Sequence, residues 1–277
     1  MKVYIISFLI LASAFIYCHE HPTKEEIQNE LNQKAIYYGS TLRIRNQNSR
    51  HHLYSMDVSY GSGSRGQVVT ATESDSEIGS YFTIKHGHGK PIQTFTNTVK
   101  CGDIIRLEHI NTGKNIYGSN HASPVSNKLE ISAQGQNGES DGNDNFVIEC
   151  IGQSKGSDLV GKTEFYLQHL NTSQFLTTSR RFSFNQNNCG FNCPIMNHLE
   201  VSCQRSKDNE TKWKIVGGII LQKSQFSNDN DKDPLNDYDD DDDDDEEHYN
   251  PSSNTKKDAN VEEDEYEEVN FNRRDDL

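Results

Sequence analysis

Cysteine and histidine supply most of the metal and redox chemistry open to a polypeptide, and Cys189, Cys193, His198 and Cys203 fall close together here. Their spacing, C-x3-C-x4-H-x4-C, is one residue away from a zinc knuckle, whose four ligands hold a tetrahedral ion. The first gap is too long by one, however, and Cys203 aligns with Ala71 and Ala133 in the repeat described below, where a small core residue is wanted. The expectation is therefore no metal, with Cys189 paired to Cys193 or to Cys203 by a disulfide in an oxidising compartment. Gly61, Gly63 and Gly66 satisfy G-x-G-x-x-G, but a dinucleotide site needs a helix after the glycines, and Gln67 to Thr70 reads as a strand; this is a turn. Asp229 to Asp233 begins like a calcium loop, yet Pro234 stands where such a loop requires glycine. Paired carboxylates, a nucleophile elbow or a catalytic triad are not legible in the spacing, so neither an enzyme nor a cofactor is expected.

Two further groups are polar. His109, Asn111 and Thr112 recur as His169, Asn171 and Thr172, which would line a sugar-binding pocket or simply build two hairpin turns, since Asn-Thr-Gly and Asn-Thr-Ser are turn chemistry. Unit one has Asn46, Asn48 and Ser49 there instead. Asn171 and Asn209 head N-glycosylation sequons and would lie on the surface.

The elements that must hold these residues follow from an internal repeat. Aligned on Gly39, Gly102 and Gly161, which are 63 and 59 residues apart, the apolar pairs Ile44/Leu53, Leu107/Ile116 and Leu167/Leu176 recur nine residues apart. A short apolar strand follows in each unit, at Val68 to Ala71, Glu130 to Ala133 and Glu200 to Cys203. An aromatic then alternates with isoleucine: Phe82/Ile84, Phe146/Ile148 and Trp213/Ile215. Period-two alternation separated by Gly, Asn and Ser clusters means strands with one buried face. Four strands per unit give about twelve in all, and three units closing on a pseudo-threefold axis make an all-β fold, a β-trefoil. A domain of roughly 180 residues can bury about 70% of its unfolded surface, enough for a core. Thr23 to Ile36 reads as a short helix with a Thr23/Glu26 capping box, or else as a disordered linker.

Hydrophobic residues make up 32% of the 277, and the mean hydropathy is −0.84, which excludes a membrane-embedded enzyme. Lys2 followed by the uncharged run Val3 to Cys18 has the form of a secretory signal peptide, cleaved after Ala14 or Cys18, and is too short to span comfortably. Charge is segregated: residues 227–277 hold 5 Lys+Arg against 22 Asp+Glu, whereas residues 1–226 hold 22 against 20. No strongly basic region exists to bind nucleic acid, and the acidic tail would repel it. That tail, with Asp239 to Asp245 unbroken, is expected to stay disordered, to aid solubility and to collect calcium weakly. Arg274, Asp275, Asp276 and Leu277 look like a Lys-Asp-Glu-Leu retrieval signal, which with the leader means the endoplasmic reticulum lumen, or secretion if it is not read.

The His-x-Asn-Thr units and the stretch Leu53 to Ser64 resemble the MIR-domain proteins of the stromal cell-derived factor 2 type, over about Tyr38 to Leu221. Cys101 and Cys150 fall on that family's cysteine positions. In a closed trefoil the entry and exit strands of a unit are neighbours, so a Cys101–Cys150 disulfide is expected, two separate buried thiols being the alternative. The resemblance implies a β-trefoil of three MIR motifs. It also implies a non-catalytic adaptor or co-chaperone in quality control of secretory proteins, partnered by a lumenal J-domain co-chaperone and Hsp70, with unfolded or glycosylated secretory proteins as clients. A lectin-like module for mannose-type glycans, using His109, Asn111 and His169, is the alternative. MIR motifs also accompany the multi-span catalytic region of protein O-mannosyltransferases, which is missing here. The expected organisation is a signal peptide at 1–18, a linker or short helix at 19–37, the trefoil at 38–221 (repeats about 38–98, 99–158 and 159–221) and an acidic tail at 222–277.

Overall fold

A computed structural model describes residues 23–90 and 97–221. The signal-peptide residues, the acidic tail and the Arg274 to Leu277 terminus lie outside the described residues.

Twelve antiparallel strands follow one another as three sets of four. They are β1 (Thr41–Asn46), β2 (His52–Ser59), β3 (Gln67–Thr72), β4 (Phe82–His86), β5 (Ile104–His109), β6 (Lys114–Ala122), β7 (Leu129–Gln134), β8 (Phe146–Cys150), β9 (Glu164–His169), β10 (Gln174–Ser183), β11 (Leu199–Gln204) and β12 (Trp213–Ile219). The first and last strand of every set close a six-stranded barrel, β1 to β4 to β5 to β8 to β9 to β12 and back to β1. The hairpins β2–β3, β6–β7 and β10–β11 cap one end, and their second strands pair with one another in a triangle. This is the β-trefoil, and closing the barrel and the cap leaves few exposed strand edges.

The repeat positions meet inside. Ile44, Leu107 and Leu167 form one layer, Leu53, Ile116 and Leu176 another, and Phe82, Phe146 and Trp213 a third, all 2% exposed or less. Ala71, Ala133 and Cys203 share a smaller layer, which explains a buried, unpaired cysteine. Trp213 is larger than its two counterparts and spends its indole N–H on the Leu176 carbonyl at 3.0 Å.

The chain entering each unit closes the other end. Ile36 N–H donates to Leu159 O, Leu159 N–H to Val99 O, and Val99 N–H to Ile36 O, at 2.9, 2.8 and 2.7 Å. All three are fully buried, so the core begins at Ile36, ahead of the Tyr38 boundary read from the sequence. Helix α1 (Lys24–Gln33) leads into this ring, started by the Thr23/Glu26 capping box. Leu31 is its buried contact, whereas Ile27 stays 52% exposed. Gly161 admits this helix end closely: a Cβ there would sit 2.1 Å from Leu31 O.

Candidate functional site

The last residue of the first strand in each unit anchors a 3-10 turn that precedes the last strand of a unit. His169 Nε2 lies 3.0 Å from the Asn143 carbonyl, and its Nδ1 is 2.9 Å from Thr172 Oγ1. His109 repeats the Nδ1 contact with Thr112 Oγ1 at 2.9 Å, while its buried Nε2 makes no hydrogen bond among the described residues. In unit one the same job falls to Asn46, whose amide donates to the Glu210 carbonyl at 2.7 Å while its oxygen accepts from Asn48 and Ser49 N–H. Burial pushes the His109 imidazole down to about 4 and lowers that of His169 as well.

Of the two readings of His109, Asn111 and His169, a sugar-binding pocket or hairpin turns, the geometry supports the turns. Both histidines are 1% exposed and belong to separate units, and only Asn111 faces solvent. His169 spends its ring on a turn carbonyl and a threonine hydroxyl, and His109 spends Nδ1 on the Thr112 hydroxyl, so both rings face inward. The sequon residues Asn171 and Asn209 are both exposed.

The structure pairs Cys101 with Cys150 and Cys189 with Cys193. The first bridge joins the entry to the exit of unit two. The second ties off α2 (Gln186–Cys189), which Asn185 caps, and presents Phe191 at 85% exposure from a five-residue ring. Of the two expected pairings of Cys189, the one with Cys193 forms, and it consumes two of the four sulfur and nitrogen groups of the knuckle-like spacing. Cys203 is buried, with its thiol pushed far up by burial, so it is no nucleophile. His198 instead places Nδ1 2.9 Å from Thr70 Oγ1. Among the described residues no group of three His, Cys, Asp or Glu side chains is arranged to hold a metal ion.

The buried ions of unit two are matched to one another. Arg106, 1% exposed, donates to the His86 and Gly138 carbonyls and lies 3.3 Å from Glu139 and 3.7 Å from Asp144. Lys85 pairs with Glu108 at 2.8 Å. These pairs tie β4, β5 and the turn before β8 to one another.

A cavity of about 680 Å³ opens between units one and two, walled by Tyr37, Tyr38, His86, His88, Asp103 and Asn145. Tyr38 stacks on His86 with ring centroids 3.5 Å apart and donates its phenol to Asp103 Oδ2 at 2.7 Å. The same oxygen accepts the Lys100 N–H at 2.8 Å. Burial and the Asp103 carboxylate raise the Tyr38 phenol well above its usual range, so it remains a fixed donor. Aromatic faces beside amide and imidazole edges suit a hydroxyl-bearing or peptide ligand. These residues were not singled out in the sequence. The available signal was position, Tyr38 just before the repeat glycine Gly39 and Asp103 just after Gly102.

No family model matches the chain. Individual proteins do. It is 33% identical over 197 residues to human stromal cell-derived factor 2-like protein 1, covering 69% of this chain and 80% of that protein. The crystal structure of the SDF2-like protein from Arabidopsis thaliana superposes with a TM-score of 0.62 at 30% identity, covering 68% of this chain and 98% of that one. The Saccharomyces cerevisiae protein O-mannosyltransferase Pmt1-Pmt2 complex, solved bound to the sugar donor, shares the fold at a TM-score of 0.54 and 19% identity, over 73% of this chain and 30% of that one.

Proposed function

Because the chain belongs to the stromal cell-derived factor 2 family, we propose that it is a non-catalytic adaptor of the endoplasmic reticulum lumen, assisting the folding and quality control of secretory proteins beside a J-domain co-chaperone and Hsp70. The observation that carries this reading is what the trefoil does with its reactive side chains. Its thiols in the described residues are bridged or buried, the buried Arg106 and Lys85 are paired with carboxylates, and His169 holds a turn. Such a molecule acts by surface contact. Two disulfides fit an oxidising compartment.

Affinity capture from a lumenal extract with the full chain tests it. Recovery of a J-domain co-chaperone, with Hsp70 following in a nucleotide-dependent manner, is the expected result. Recovery of neither, under conditions that retain other lumenal assemblies, contradicts it.

A second reading, a lectin-like module for mannose-type glycans, draws support from the cavity at Tyr38, His86 and Asn145. A glycan array on the full chain separates the two. Mannose-type hits abolished by Asn145→Ala favour the lectin, and an array without hits removes it.

A further inference from the structure

Arg43 and Arg45 project from the same side of β1, two residues apart, on the outer face of the barrel. Both are part-buried, and neither forms an ion pair with a carboxylate among the described residues. The contrast with unit two is direct. The equivalent positions there are Arg106, paired with Glu139 and Asp144, and Glu108, paired with Lys85. At the first position unit one keeps the positive charge without the carboxylate partners, and at the second it carries Arg45 where unit two has Glu108. Arg43 is steered by a hydrogen bond to the Asp75 carbonyl and by the Tyr81 ring, 5.7 Å away. Arg45 makes no side-chain hydrogen bond within the described residues.

The two arginines line a cavity of about 600 Å³ between α1, β1, β12 and the loop after β3, together with His52, Ile27, Leu31 and Gly217. Arg43 Nε, Arg45 Nε and His52 Nδ1 are all buried nitrogens without a hydrogen-bond partner, and all three belong to this one cavity. Buried donors left open cost about 1–3 kcal/mol each, so their clustering marks where an acceptor belongs. Of the other charges on the walls, Lys34 is matched to Glu30 at 2.5 Å, which leaves Asp75 against two guanidiniums. The unbalanced positive field shows on His52: burial, then Arg43 and Arg45, push its imidazole down to about 4 against the opposing Ser74 backbone and Asp75.

Side chains two apart on a strand are separated by about 7 Å, and the same repeat sets side chains i and i+2 of any extended peptide on one face. A single small anion would satisfy one guanidinium at a time, whereas carboxylates at alternate positions satisfy both. Ile27, Leu31, Val216 and Ile220 form an apolar floor beside the charges. We propose that this cavity is a binding site for an extended acidic peptide with carboxylates at i and i+2, held by Arg43 and Arg45 and closed against His52.

The test titrates the full chain with the peptide acetyl-Gly-Asp-Gly-Asp-Gly-amide by calorimetry, and follows the His52 imidazole by NMR. Binding that weakens with added salt and moves the His52 titration upward is the expected result. Arg43→Gln and Arg45→Gln should each weaken it about tenfold or more, in line with loss of a charge-assisted hydrogen bond. Gly217→Ala keeps both arginines and places a methyl group beside Arg43. That Cβ meets the Arg43 side chain at an ordinary 3.9 Å, so the fold tolerates it while binding falls. Asp229, Asp231 and Asp233 show the same alternation in this chain's own sequence, and their replacement by Asn separates the sources: tighter binding of the added peptide assigns the carboxylates to this chain, and unchanged binding to another polypeptide. Absence of binding, binding indifferent to both Arg→Gln variants, or inorganic phosphate binding as well as the peptide overturns the proposal.

Discussion

Glu130 lies beneath a turn 66 residues earlier in the chain, where its carboxylate accepts the Ser64 N–H at 3.3 Å. A Cβ on Gly63, whose φ is +65°, would come within 1.9 Å of Glu130 Oε2. The G-x-G-x-x-G stretch therefore does cradle an oxyanion, but one supplied by the next cap hairpin. Glu200 repeats the arrangement on the following turn, accepting from Val125 and Ser126 N–H at 2.6 and 3.0 Å. The third equivalent position is Val68, and it faces the disulfide-tied insertion. There it packs with Tyr60, Phe184, Cys193 and Ile195 in a small apolar cluster. Two cap turns are held by carboxylates and the third by a bridge over an apolar floor.

Gly63→Ala and Glu130→Ala should each destabilise by about 2 kcal/mol, the first through backbone strain and collision, the second through N–H groups left without an acceptor. The double variant should cost less than the sum, because removing the carboxylate relieves the collision. Urea unfolding of the four proteins measures the coupling, and hydrogen exchange at Ser64 should quicken in Glu130→Ala. Strict additivity would contradict the contact.

Replacing Cys101 and Cys150 by Ala should lower stability by about 4 kcal/mol, since the bridge spans 49 residues. The Cys189→Ser/Cys193→Ser pair closes a much shorter ring and should cost about 2 kcal/mol in the same chain-entropy account. Denaturant midpoints of both double variants test the order, which equal losses would contradict.

Acid should weaken the fold in a defined window. His52 and His109 are held neutral with folded values of about 4, and His169 and His198 are also lowered, chiefly by burial. An unfolded chain binds those protons near pH 6.5. The stability these groups contribute is therefore complete above about pH 6.5 and drains as pH falls toward about 4. Urea midpoints between pH 7.5 and 4.5 should decline in step. His109→Asn and His169→Asn, which install the residue that unit one uses at Asn46, should flatten the slope. A slope unchanged in both variants would contradict the assignment.

Trp213→Phe copies the residue of the other two units but leaves the Leu176 carbonyl without its 3.0 Å donor and opens space in the aromatic layer. A loss of about 2 kcal/mol is expected in thermal or urea unfolding.

The trefoil was readable because its determinants are local. Ile44 and Leu53, and their counterparts, recur at fixed spacing within each unit, and period-two alternation marks strands whatever they pair with. The short helix was readable for the same reason, through the Thr23/Glu26 box. What escaped the sequence depends on closure. Glu130 and Ser64, Tyr38 and Asp103, and Arg43 and Gly217 are neighbours only after the barrel and cap have formed. His109 and His169 left two readings open for a related reason. Exposed hairpin chemistry at Asn111-Thr112 and Asn171-Thr172 surrounds a ring that turns inward. The aligned Asn46, a residue with no acid/base role, was the sign that the position anchors a turn.

The adaptor account is tested most directly by an unfolded lumenal glycoprotein incubated with Hsp70, a J-domain co-chaperone and ATP, with and without the full chain, reading client aggregation by light scattering and client mass by mass spectrometry. The account predicts less aggregation when the chain and co-chaperone are both present, with every client mass unchanged. A client that gains or loses a sugar or is cleaved when the purified chain is added, or aggregation indifferent to the chain, would contradict it.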